Sequence, residues 1–270
     1  MLTTDTLVSS EASFMSSTHL IMGDQDAVLV DALLAKSDAL QAVDWIRGHD
    51  RRLTHIYITH AHPDHFLGLP VILEAFPEAR AVAFRDTAED IAKVAPTYHA
   101  ADKPVYGDNL ADSWAVPEAL PGHTLTLEGE ELRVIEVGPG EADRSTALHV
   151  PSIRAIAAAD QIFSHVHVWL VEYRPEGSLA GVETIRSAGP LEIVLPGHGP
   201  AGGSDLLDAN ERYIRDFMSA AQQPSKEAAV AEMMEKYGDF GMPVILDFGM
   251  QAAVEGKSYP QIMADFMAGQ

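Results

Sequence analysis

His60-Ala61-His62-Pro63-Asp64-His65, entered directly from His55-Ile56-Tyr57-Ile58-Thr59, is the stretch whose reading decides the fold. The run 55–59 is rich in β-branched and aromatic residues and has the pattern of a short buried strand. His60 and His62 alternate along its extended continuation, so both imidazoles can point the same way. Pro63 favours a turn, and Asp64 and His65 follow it. Neutral imidazole and carboxylate are the preferred zinc ligands where cysteine is absent, and this chain has no cysteine. Three of its 12 histidines fall within these six positions, which favours a metal centre over a polar surface loop. Four strong ligands so close together can surround two adjacent cations.

Working outward, the 270 residues are 47% apolar, enough for a sizeable core and unlike a disordered or fibrous chain. Asp and Glu number 40 against 18 Lys and Arg, a formal charge of -22. Such a surface repels phosphate backbones and anionic headgroups, so a small-molecule substrate is expected rather than nucleic acid or membrane. The absence of cysteine excludes disulfides, thiolate ligands and a cysteine nucleophile. The start, Met1-Leu2-Thr3-Thr4-Asp5, has neither a basic nor an apolar signal region, and no apolar run reaches membrane length. A cytoplasmic protein is the expectation, with a homodimer left open. There is no repeat and no composition break. We expect one domain over 1–270, with a core of about 6–220 and a helical extension of about 221–270.

Strand patterns cover Thr6–Ser9, Phe14–Met22 and Ala27–Val30, with a turn at Gly23-Asp24-Gln25-Asp26. A helix is predicted from Ser37 or Asp38 to Arg47, stopped by Gly48. Phe66–Phe76 and Thr87–Val94 have helical spacing, and Ala81–Phe84 reads as a strand. Pro96–Pro121, with prolines at 96, 104, 117 and 121, reads as a long loop over a site. Thr124–Leu127, Leu132–Val137, Thr146–Val150 and Ile153–Ala158 are strand candidates. Leu179–Ser187 is helical, Leu191–Leu195 a strand, and everything from Asp205 helical. Met233, Met234, Met242 and Met250 read as core filling rather than ligands. Two packed β-sheets with helices outside account for this order.

The histidine run after its strand resembles the H-x-H-x-D-H signature of the metallo-β-lactamase superfamily. Further segments carry the likeness. Ala27–Asp31 resembles the early strand ending in Asp, with Leu33 where a Gly is usual. Ala157–Phe163 resembles the segment that supplies a bridging Asp, here Asp160. Leu195-Pro196-Gly197-His198-Gly199 resembles the late loop that supplies the last histidine, here His198. The resemblance implies an α/β fold, a four-layer αββα sandwich, with metals at one edge between the sheets.

One position departs from the commonest pattern. In the loop Val137-Gly138-Pro139-Gly140-Glu141-Ala142-Asp143, Glu141 stands where the third histidine of the first metal is usual, similar to the alkylsulfatase branch. Asp143, His123 and His149 are the alternatives. The resemblance then implies a first metal on His60, His62 and Glu141, a second on Asp64, His65 and His198, and Asp160 between them. The cofactors implied are two divalent ions, zinc first, with Mn or Fe better tolerated because a carboxylate replaces an imidazole. A metal-bridging hydroxide would attack a small ester, lactone or related substrate, with Asp64 also moving a proton. An iron dioxygenase of the persulfide type and a sulfate ester hydrolase are the alternatives. His165 and His167 in Ser164–Trp169 are candidates for the substrate side, burial in a short element being the other reading. Tyr98, His99, Trp114, Arg144 and Ser145 are further candidates for the cleft wall.

Overall fold

The computed structural model describes residues 1–268. One sheet has the order β1 (Thr3–Val8), β2 (Ser17–Met22), β3 (Asp26–Val30), β4 (Arg52–Ile58), β5 (Arg80–Ala83), β6 (Glu118–Ala119). Its first two pairs are antiparallel and the rest parallel. The other sheet contains β7 (Thr124–Leu127), β8 (Glu130–Val137), β9 (Ser145–Val150), β10 (Ala155–Phe163) and β11 (Ile193–His198), in the order β11-β10-β9-β8-β7. Only β10 and β11 run parallel there.

The period-two alternation of the strands builds the layers. In β3, Val28 and Val30 face the second sheet, while Ala27 and Leu29 face the outer helices. In β4, Tyr57 points inward and Ile56 and Ile58 outward. In β10, Ala155 and Ala157 join the inter-sheet core, and Ile156 and Ala158 join the opposite outer layer. Helices α1 (Lys36–Gly48), α2 (Pro63–Phe66), α3 (Leu69–Ala75) and α4 (Arg85–Tyr106) cover the first sheet. Helices α5 (Pro175–Arg186), α6 (Asp205–Ala220), α7 (Lys226–Tyr237) and α8 (Pro243–Glu255) cover the second. Met233 and Met250 are fully buried in that outer layer. The last helix, α9 (Tyr259–Ala268), packs Ile262 against Phe248 of α8. These are the four layers of an αββα sandwich. Among the described residues, no helix is long and apolar enough to cross a membrane.

Two elements differ from the expectation. The helix predicted over 87–94 runs on to Tyr106, through Pro96 and Pro104, in place of a long loop. Each proline removes a backbone donor, but Ile91 and Ala95 are buried against the first sheet and hold the helix in place. The helix predicted over 66–76 is broken at Gly68. Gly68 N–H donates to Leu33 O (2.8 Å), and a Cβ there would meet Ala32 O at 2.2 Å. This close approach admits only glycine and turns the chain between α2 and α3.

The strand ends converge at one edge of the sandwich. There the isolated bridges Ser16–His198 and His60–Ser145 tie the two sheets together. Thr146 joins the same seam. Its N–H and its hydroxyl both donate to Thr59 O (3.0 and 2.7 Å), and Tyr57 OH donates to Thr146 Oγ1 (2.7 Å).

Candidate metal centre

Four segments deliver the polar side chains to this edge. His60 and His62 leave the end of β4, and Asp64 and His65 lie on α2 directly after Pro63. Glu141 comes from the β8–β9 loop, Asp160 from β10 and His198 from the end of β11. Ala159, at φ 49°, and the register shifts around it bend β10 as it presents Asp160. Gly197 makes room for that carboxylate, since a Cβ there would lie 1.9 Å from Asp160 Oδ1.

The side chains form two groups of possible ligands. His60, His62, Glu141 and Asp160 each offer an atom within 4.8 Å of the others, as do Asp64, His65 and His198. Asp160 faces both groups. Its Oδ1 is 3.2 Å from His65 Nε2, and its Oδ2 is 3.2 Å from His198 Nε2 and 3.7 Å from His60 Nε2. Glu141 contacts His62 Nδ1 and lies 3.7 Å from His60 Nε2. Asp64 Oδ2 is 3.4 Å from both His65 Nε2 and His198 Nε2.

The opposite edges of the rings are held from behind. Asp31 Oδ2 accepts from His65 Nδ1 (2.9 Å) and from the Thr59 hydroxyl (2.8 Å), and Asp31 Oδ1 accepts from Thr59 N–H (2.9 Å). With its hydroxyl hydrogen on Asp31, Thr59 Oγ1 accepts from His60 Nδ1 (3.0 Å). His198 Nδ1 donates to the carbonyl of Phe14 (2.8 Å). Phe14 and Met15 both sit at positive φ in the turn before β2, and Met15 O accepts Gly199 N–H (2.9 Å). These partners assign the proton to Nδ1 of His60, His65 and His198, so each Nε2 lone pair faces the cleft.

Two observations show that this donor set fits divalent cations. His60 Nε2, His65 Nε2, Glu141 Oε2 and Asp160 Oδ1 are all buried without a hydrogen-bond partner. Buried polar atoms without partners are costly, and here they converge on two points. The second observation is the titration of the groups. Burial pushes the His60 imidazole well below its ordinary range, with His65 adding to the effect. Burial acts the same way on His62 and His65, but their carboxylate neighbours prevail. Glu141 holds His62 up at about 9, and Asp160 and Asp64 hold His65 well above its ordinary range. Burial would raise Asp64, yet His65 and His198 bring it down to about 2. Asp160 is likewise held well below the carboxylate range, its histidine neighbours outweighing burial. Burial pushes Glu141 up to about 7, only partly countered by His62. A raised His62 implies an ion pair and a raised Glu141 a neutral acid. We read the two as sharing one proton, with the burial of Glu141 setting its direction. Protons thus balance the carboxylates where cations would otherwise do so.

The profile of the metallo-beta-lactamase superfamily matches residues 13–206. The chain belongs to that superfamily. Solved structures share its fold at low identity. The BLEG-1 B3 metallo-beta-lactamase superposes with a TM-score of 0.62 at 17% identity, covering 78% of this chain and 99% of that one. The metallo-beta-lactamase from Pontibacter korlensis gives 0.59 at 16%, covering 74% and 87%. DIM-1 metallo-beta-lactamase gives 0.58 at 18%, covering 79% and 92%. No curated protein matches the chain at a significant level.

Within this metallo-β-lactamase fold, all seven residues predicted from sequence as ligands meet in one cluster. Asp143 instead points outward and pairs with Arg174. His123 pairs with Glu136 on the surface. His165 is exposed beside Phe240, and no contact joins it to the cluster. His167 is fully buried away from the cluster, accepting from Tyr213 OH at 2.8 Å and packed against Phe240. Burial pushes it down to about 4, so it packs as a neutral ring. Asp102, Tyr106 and Tyr259 feel the charge of Asp64, and Glu172 that of His62; none of the four was foreseen. The four-residue spacing of Tyr98, Asp102 and Tyr106 was the available signal, obscured by Pro96 and Pro104.

Proposed function

We propose that the protein is a dinuclear metallohydrolase acting on small esters or lactones. The observation that carries this reading is Asp160, a single buried carboxylate that faces both ligand groups within 3.7 Å. His60, His62 and Glu141 would hold one cation, and Asp64, His65 and His198 the other, zinc first, with Mn or Fe suited by the carboxylates. Cations held this way acidify water and polarise the oxygen of an electrophilic centre. The chain's own groups supply the rest. Asp64, with a side chain 12% exposed, is more open to the cleft than Asp160 or Glu141 and is placed to take a proton from the attacking water and hand it to the leaving group. Asp31 keeps His65 in the required tautomer, and through Thr59 it orients His60. The charge of -22 disfavours polyanionic substrates.

A second reading draws on the same geometry. His60, His62 and Glu141 are two histidines and one carboxylate, the donor set of non-haem iron oxygenases. Metal analysis after purification without added metal, followed by a screen of aryl esters, lactones, alkyl sulfates and phosphodiesters, separates the two. The expected result is near two equivalents per chain and chelator-sensitive ester or lactone hydrolysis. Glu141→Gln should lose one equivalent. One equivalent of iron with oxygen-dependent thiol oxidation as the sole activity would overturn the hydrolytic reading.

A further inference from the structure

The loop that carries Glu141 rests on α5 through a seam of glycines. Gly177 and Gly181 are four residues apart and share one face of that helix. A Cβ on Gly177 would lie 1.9 Å from Pro139 O and 3.6 Å from Gly140 Cα, and one on Gly181 would lie 1.8 Å from Gln161 Oε1. From the loop side, a Cβ on Gly140 would lie 3.3 Å from Gln161 Nε2 and 3.4 Å from Ser178 Oγ. The Gln161 amide is thus held between the α5 backbone and the residue directly before Glu141. Gln161 follows Asp160 in β10, which sends one side chain to the ligand cluster and the next to the helix.

Gln161 is 2% exposed, and neither its Nε2 nor its Oε1 has a hydrogen-bond partner. The polar groups beside it are engaged within their own elements. Gly140 N–H donates to Ala142 O (3.0 Å), and the Ser178 hydroxyl makes a long contact to Arg174 O (3.4 Å). A buried amide without partners is costly, and a methionine would fill the same space without that penalty. Packing alone therefore gives no reason for an amide at this point. Its N–H donors and its carbonyl oxygen lie instead within reach of the Glu141 loop. Glu141 Oε2 is itself buried without a partner. A cation on Glu141 answers that second deficit, and settling of the loop on to the amide answers the first.

We propose that Gln161 is a positioning residue for the first cation: its amide hydrogen-bonds the backbone of residues 139–142 when Glu141 coordinates, and so fixes where that carboxylate stands. Gln161 acts through Glu141. The second group of ligands has other supports, with Asp64 and His65 on α2, His65 backed by Asp31, and His198 backed by the Phe14 carbonyl. The effect of Gln161 is therefore confined to the first cation. The proposal rests on the assignment of Glu141 to that cation.

The test is Gln161→Met, which keeps the length of the side chain and removes its hydrogen bonds. Metal-free protein should melt at the wild-type temperature or above it, because a buried amide without partners is gone. Zinc titration against a competing chelator should nevertheless show the first constant weakened about tenfold, the lower end of what groups that hold a ligand in place contribute, with the second within twofold of wild type. A residue that only fills space would not separate stability from affinity in this way. Both constants unchanged, or both weakened alike, would overturn the proposal. If Gln161→Met does not fold, Gln161→Asn, which keeps the amide but draws it back from the loop, reads the same split between the two constants. Glu141→Gln in the same titration reads the underlying assignment by itself. If it leaves the first constant unchanged, Glu141 is not a ligand and both ideas fall; if it abolishes the first equivalent while Gln161→Met does nothing, only the role of Gln161 falls.

Discussion

Replacing Asp31 with Asn should loosen the ligand cluster while leaving the backbone in place. Asp31 is 2% exposed and sits at φ 64°, a left-handed conformation that Asn adopts as readily as Asp. The substitution therefore exchanges one acceptor for a donor with little backbone cost. Oδ1 accepts from Thr59 N–H, and Oδ2 accepts from the Thr59 hydroxyl and His65 Nδ1. With the amide nitrogen toward His65, two donors face each other unless the ring moves its proton to Nε2, and that tautomer cannot ligate. With the amide turned round, its NH2 faces the Thr59 N–H. Losing a charged hydrogen bond costs about 1.5–3 kcal/mol. That matches the roughly 10–100-fold loss of affinity seen when the partner of a ligating histidine is removed. The second equivalent of zinc, on Asp64, His65 and His198, should weaken by that factor. The first should weaken less, because Asp31 reaches His60 only through Thr59. Competition against a chromophoric chelator measures both constants, and thermal melting of the metal-free proteins measures the structural share. Two equivalents within twofold of wild type in a folded variant would refute the reasoning. So would an equal weakening of both that merely tracks lost stability.

Two further perturbations probe the supports. Gly177→Ala on α5 brings a Cβ to 1.9 Å from Pro139 O, a backbone atom that cannot swing aside. The Glu141 loop must shift, so metal content should fall from two toward one per chain and stability by about 1–3 kcal/mol; unchanged metal content and melting would show that α5 does not hold the loop. His19, between Thr6 Oγ1 (2.9 Å) and Pro196 O (2.8 Å), is pushed down to about 4 by burial, partly opposed by its backbone partner. Its folded pKa lies below the unfolded 6.5, so this contribution to stability is full above about 6.5 and is lost as pH falls toward 4. Chemical denaturation should show about 2 kcal/mol less stability from this group at pH 5 than at pH 7, and His19→Gln should flatten the trend. The same pH slope in both proteins would count against it.

What was legible in the chain depended on whether one element carried its own signal. The run 60–65 declares a metal site because a strand end aims His60 and His62 together, and Pro63 starts the helix that presents Asp64 and His65. Glu141 and His198 were visible through the resemblance of the Pro-Gly segments that precede them, one in the β8–β9 loop and the other at the end of β11. The order of strand and helix signals suggested two packed sheets with helices outside, and the alternation that sorts β3, β4 and β10 into layers became visible only in the packing. Asp102 shares the four-residue spacing of Tyr98 and Tyr106 on α4, whereas Glu172 and Tyr259 had no such signal. The prolines at 96 and 104 made the gap worse. Local propensity ends the helix at about Val94, and burial of Ile91 and Ala95 overrides it. The carbonyl of Phe14 left no trace at all, because any residue supplies a backbone acceptor. His165 and His167 lie outside the ligand cluster for a related reason: β10 stops at Phe163, so the alternation that aimed Asp160 no longer governs them.

Leu33 shows how such a departure can be read physically. The superfamily pattern has Gly at this position, and the backbone here does take the left-handed φ of 64° that favours Gly. That conformation costs a leucine roughly 1–2 kcal/mol. Leu33 is also 0% exposed, and burying a leucine side chain gains about 1.5–3 kcal/mol. The two terms are close, with the balance toward leucine. Its carbonyl still accepts Gly68 N–H at 2.8 Å, and the neighbouring Ala32 N–H still donates to His65 O at 2.8 Å. The backbone that carries Asp31 and His65 therefore keeps the shape the glycine would have allowed, and the missing glycine is no argument against a working metal centre.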